Sequence, residues 1–174
     1  SAFQTVRKWY VDTLRAQHAH IVDALSGQKL DALEQCVAID VMGAGHENLA
    51  DGGDVRGLAA WLHRAAPRGG EATLVPIAAL LTAPPASGKT TLMSQLVTLS
   101  LDGAELVPIV VKVQKLQAHL LNQPDAFSVA WNFFDAYLRL TEEPPVYRML
   151  RQAMVARRAL LLLDGLDEGG QLRV

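Results

Sequence analysis

Apolar residues recur along this chain at two different spacings, and the alternation between them outlines its elements. From Phe3 through Val6, Tyr10 and Leu14 to Ile21 and Leu25 the spacing stays near the helical period, which predicts a helix over residues 3–25, stopped by Gly27. Leu30 to Leu33 predicts a second, short helix, and Cys36 to Met42 a β-like run. Leu58, Trp61, Leu62 and Ala65 return to helical spacing over residues 55–65. Three runs have no polar face at all: Ile77–Leu81, Leu106–Val113 and Ala159–Leu163. Strands of this kind are buried on both sides, as in a parallel sheet. Between them, Leu92–Leu99 and Gln117–Leu121 predict helices, and Phe127, Trp131, Phe134 and Leu138 line one face of a further helix as core packing. Pro144-Pro145 opens a last helix over residues 146–156 that buries Leu150 and Met154, with Arg157 and Arg158 at its negative end.

The polar stretches divide the chain. Gly43–Asn48 and Asp51–Asp54 are rich in glycine and polar residues and predict a surface loop, and Pro67-Arg68-Gly69-Gly70 breaks the chain again. The expected organisation is a mainly helical extension and linker over residues 1–70, then an α/β core over residues 71–174.

Composition narrows the function classes. With 174 residues, half of them hydrophobic, the chain can bury a real core. A net charge of −2 argues against a nucleic-acid surface, which needs a basic excess. Cys36 is the one cysteine, so no intrachain disulfide or cysteine metal site is possible, and a reducing, cytoplasmic setting is expected. The longest apolar stretch, residues 72–86, is interrupted by Pro76, Pro84 and Pro85 and is too short to span a bilayer. His18 and His20 are two apart and make a poor metal pair on a helix. A first residue of serine points to a piece of a longer chain.

Candidate chemistry centres on Ala83-Pro84-Pro85-Ala86-Ser87-Gly88-Lys89-Thr90-Thr91, between the first apolar run and a helix. Strand, tight loop and helix N-terminus form a nest of backbone N–H groups aimed at an anion. The second half matches G-x-x-x-x-G-K-[ST]: Gly88 allows close approach, Lys89 reaches the β- and γ-phosphates, and the Thr90 hydroxyl is a Mg²⁺ ligand. In the first half Ala83 replaces the first glycine, and Ala86 stands where many such loops have another.

The run Ala159–Leu163 ends in Asp164-Gly165-Leu166-Asp167-Glu168. An apolar strand that delivers an aspartate at its end suits Mg²⁺, a hard cation satisfied by one or two carboxylates and water. Asp164 is then the second metal ligand beside Thr90, and Asp167 or Glu168 can orient or deprotonate the attacking water.

Leu160–Glu168 resembles the Walker B segment of NACHT-type NTPases of the STAND class, in which a small residue, here Gly165, follows the metal-binding aspartate and an acidic pair, here Asp167-Glu168, comes two residues later. Ala83–Thr91 resembles that family's G-x-P-G-x-G-K-T-T loop, with alanine at two glycine positions. Over residues 71–170 the resemblance implies a three-layer P-loop NTPase core around a parallel sheet, truncated after the Walker B strand. It implies binding of ATP or GTP with Mg²⁺, slow hydrolysis, and a nucleotide-controlled switch acting through self-association or other regions of a longer parent. It also implies that Leu106–Val113 pairs in parallel with Ala159–Leu163, while Ile77–Leu81 stands about two strand spacings, roughly 10 Å, away. Two alternatives stay open: a degenerate nucleotide-binding or scaffold module, and a P-loop kinase of small molecules.

Overall fold

The computed structural model describes residues 2–23, 25–36, 53–65, 78–82, 84, 87–103 and 106–166. The chain is α/β, with seven helices and a parallel strand pair among these residues. It divides into two compact units: Val11–Leu106, and Ser1–Tyr10 together with Val107–Val174. The boundary falls inside helix α1, Ala2–His18.

In the first unit, α1 ends at His18, and the chain turns at once into a hairpin of β1, His20–Val22, and β2, Lys29–Asp31. The helix expected to run on to residue 25 is therefore shorter, and the short helix expected over Leu30–Leu33 is instead the end of a strand and a turn. Two aspartates explain both differences. The Asp23 carboxylate accepts from the Ser26 and Leu25 N–H groups and from the Ser26 hydroxyl, closing the hairpin turn. Asp31 accepts from the N–H groups of Leu33 and Glu34, each within 3.0 Å. Such side-chain bonds offer the backbone an alternative to the helix.

Helix α2, Val55–Ala65, forms as its spacing predicts. Asp54, within the expected loop, caps it by accepting from Gly57 N–H at 2.8 Å. Its apolar face, Val55, Leu58 and Ala59, packs with Leu92 and Leu96 of α3, Lys89–Leu101. Helix α3 is buried around most of its circumference, polar residues included. Gln95 answers this by donating to the Ala32 carbonyl at 2.8 Å, and Thr98 by donating back to the Ser94 carbonyl at 2.9 Å. The C-terminal half of α1 is tied to α3 through His18 and Ser94, 3.2 Å apart, and through an exposed Arg15–Asp102 ion pair at 3.0 Å.

One expected strand is missing. Ala78–Thr82 has no regular secondary structure, and Leu80 is 75% exposed. An apolar run becomes a strand only where a neighbour takes its N–H and C=O groups, and this segment has no ladder partner among the described residues. Ile77, like residues 37–52 and 66–76, lies outside the described residues, so the β-like run expected after Cys36 and the break at 67–70 are not addressed.

In the second unit, β3, Val107–Lys112, pairs in parallel with β4, Ala159–Asp164, in the register Val107↔Ala159 to Lys112↔Asp164. This is the pairing expected of the two apolar runs. Ile109 and Val111 are wholly buried, and Leu160 and Leu162 nearly so. Helix α4 runs from Val113 to Asn122 rather than only over 117–121, and it starts directly at the end of β3. The single aromatic helix is in fact two: α5, Pro124–Ser128, and α6, Phe133–Thr141. Asn132 caps α6 by accepting from Asp135 N–H at 2.8 Å, while the Asp135 carboxylate accepts from Trp131 N–H at 3.4 Å. The reciprocal pair restarts the helix, so Phe127 is buried but Trp131 stays more than half exposed. Helix α7, Pro144–Val155, buries Val146, Met149, Leu150 and Ala153 against β3 and β4, while Met154 is half-buried. From the N-terminal part of α1, the buried Tyr10 hydroxyl donates to the Pro108 carbonyl at 2.9 Å.

Candidate functional site

The residues expected to hold phosphate lie at the start of α3. Gly88 is the N-cap, at φ 86° and ψ 18°, and its carbonyl accepts the first helical bond from Leu92 N–H at 2.9 Å. A left-handed cap is open to glycine at no steric cost, whereas a side chain there is strained. The first turn that follows carries the positive end of the helix dipole. Gly88 itself offers no side chain to cap the helix. Lys89 is half-buried, and its Nζ donates to the Pro84 carbonyl at 3.4 Å across the loop. That contact folds the ammonium back over the turn. The sequence offered little sign of it, because the acceptor is a backbone atom. Ser87 and Thr90 are exposed and Thr91 is half-buried. Ala83, Pro85 and Ala86 lie outside the described residues.

The candidate metal carboxylate sits in the other unit. β4 is apolar from Ala159 to Leu163 and presents Asp164 as its last residue, level with Lys112 on β3. This is the C-terminal edge of a parallel pair, where open α/β sheets place their ligands. Asp164 is half-buried, and among the described residues its carboxylate accepts no hydrogen bond and forms no ion pair, Lys112 included. Gly165 follows at φ 80°, so the chain leaves the strand through a left-handed residue, which is why a glycine suits this position. Asp167 and Glu168 lie outside the described residues.

The two motifs belong to different units. Taken singly, the Thr90 hydroxyl and the Asp164 carboxylate are hard oxygens of the kind that Mg²⁺ takes. Among the described residues no group of three or more His, Cys, Asp or Glu gathers as a transition-metal site would. No described helix is long and apolar enough to cross a membrane. No family model, curated protein or solved structure matches the chain.

Proposed function

We propose that the chain binds a nucleoside triphosphate, ATP or GTP, together with Mg²⁺, as part of a NACHT-like regulatory NTPase with a three-layer P-loop core. The observation that carries this reading is the left-handed Gly88 cap followed directly by Lys89 and Thr90 at the head of a long, buried helix. A helix start reached through a left-handed glycine, with a lysine at its first position, suits an anion. In this reading the loop amides and Lys89 hold the β- and γ-phosphates, and Thr90 and Asp164 hold the metal. Asp167 or Glu168 orients the attacking water. Mg²⁺, when bound, neutralises charge on the phosphates. The nucleotide state then biases association with other copies or with further regions of a longer parent chain.

A second reading has its own support. The exposed, irregular segment Ala78–Thr82 lacks the strand that should brace the loop, which favours a degenerate module that binds weakly or serves as scaffold. Titration of the full chain with fluorescent ATP and GTP, with and without Mg²⁺, separates the two. Saturable, Mg²⁺-dependent binding lost in Lys89→Ala supports the nucleotide site. Absence of binding at millimolar nucleotide overturns it in favour of the scaffold. Phosphate release without an acceptor then distinguishes a hydrolase from a kinase.

A further inference from the structure

Helix α7 has a face that neither the strand pair nor the proposed nucleotide site uses. Opposite its buried side, Tyr147, Arg148, Arg151, Gln152 and Val155, with Ala156 just beyond, line one shallow crevice along the helix. Their spacing, i, i+1, i+4, i+5 and i+8, keeps them on a single face. Val155 is 61% exposed there, and the Arg148 and Arg151 side chains reach solvent on the same face.

The charge on this segment has one sign. Arg148, Arg151, Arg157 and Arg158 fall within eleven residues, and no acidic residue stands between Pro144 and Leu163. The nearest opposing carboxylate is Asp135 of α6, which is nearly buried and already accepts from the Tyr147 hydroxyl at 3.0 Å and from Arg151 Nε at 3.2 Å. That network fixes Tyr147 and the Arg151 stem in place. Arg148 makes no hydrogen bond or ion pair among the described residues.

We infer that this face of α7 docks an acidic, amphipathic helical segment of a partner protein. Its apolar residues enter the crevice over Val155, Ala156 and the arginine stems, and its carboxylates pair with Arg148 and the outer edge of Arg151. The apolar lining sets the partner class. A purely polyanionic ligand would leave Val155 and the Tyr147 ring uncovered, whereas an amphipathic helix covers both and satisfies the guanidinium forks.

The test uses the full chain and a fluorescein-labelled peptide with leucines at helical spacing flanked by glutamates. Two controls are the same peptide with lysine for glutamate, and poly-glutamate. Anisotropy should rise to saturation with the acidic amphipathic peptide alone. Arg148→Glu and Val155→Asp should each weaken binding roughly tenfold or more, because one reverses the pairing charge and the other puts a carboxylate on the apolar lining. Thermal melts should show both variants folded, and if Val155→Asp is not, Arg148→Glu carries the test. No binding by the parent chain, unchanged binding by Arg148→Glu, or equal binding of poly-glutamate overturns the proposal. So does self-association of the parent chain that Arg148→Glu abolishes in sedimentation, since the occupant would then be a second copy.

Discussion

Single residues carry the sharpest consequences, and Gly88 is the first. At φ 86° it is held where an alanine costs roughly 1 kcal/mol, so Gly88→Ala should lower stability by about that amount in a denaturant titration. Lys89→Ala should behave differently. In the proposed reading it removes a charge-assisted phosphate contact of about 1.5–3 kcal/mol, so nucleotide affinity should fall roughly ten- to a hundredfold while the melt hardly moves. A variant that still binds ATP like the parent would remove the basis for the phosphate site. Asp135 is the structural counterpart: nearly buried, it holds the Tyr147 hydroxyl, Arg151 and the Trp131 amide at once. Asp135→Ala should cost about 2–4 kcal/mol, because the arginine and hydroxyl lose their acceptor, and Tyr147→Phe only about 1 kcal/mol. Equal losses in urea unfolding would mean that the tyrosine, not the carboxylate, organises the junction of α6 and α7.

At the scale of elements, what could be read in advance depended on whether burial or local hydrogen bonding decides the conformation. Helix α2 and the parallel strands β3 and β4 follow from apolar pattern alone, since each is fixed by what it buries. The β1–β2 hairpin does not, because Ile21 continues the helical stripe and only the Asp23 carboxylate, binding Ser26 and Leu25, turns the chain back. The break between α5 and α6 was legible in principle from Asn132 and Asp135, a capping pair hidden beneath the aromatic stripe. The run before the phosphate loop misled for the opposite reason: its apolar pattern is genuine, but a strand also needs a neighbour. At the candidate site, the glycine, lysine and aspartate were all visible in the motifs, and the Lys89–Pro84 contact was not.

The end of α6 also carries a pH dependence. Burial raises the pKa of half-buried Glu142, and burial first, then the Glu142 charge, raises that of Tyr10, which keeps the proton it donates to Pro108. A carboxyl whose folded-state pKa is raised contributes stability fully below its unfolded value and loses it as pH rises through the folded one. Glu142→Gln should therefore match the parent in melts near pH 4 and exceed it near pH 7, by a small margin because the group keeps part of its hydration. A gap that widens toward acid pH instead would show Glu142 to be stabilised when ionised.

For the whole molecule, the proposed function divides into a phosphate half and a metal half that solution experiments can test separately. Lys89 and Thr90 belong to one and Asp164 to the other, so each can bear on nucleotide affinity for its own reason. A double-mutant cycle separates these cases. Asp164→Asn should weaken nucleotide binding only when Mg²⁺ is present, because in the proposed reading its carboxylate acts through the metal. Combined with Lys89→Ala in Mg²⁺, the two losses should fall short of additive by about 0.5–3 kcal/mol, the range for groups that share a partner. In EDTA the coupling should vanish. An Asp164→Asn variant that binds like the parent in Mg²⁺ would mean that Asp164 serves β4 alone. Stabilisation supplies a second readout: a ligand at a hundred times its Kd adds about 2.7 kcal/mol to the unit that binds it. On the proposed reading, ATP with Mg²⁺ should slow hydrogen exchange in α3 and in β4 together. Protection confined to α3 would leave the first unit as a phosphate-binding module in its own right and would detach the acidic end of β4 from nucleotide chemistry.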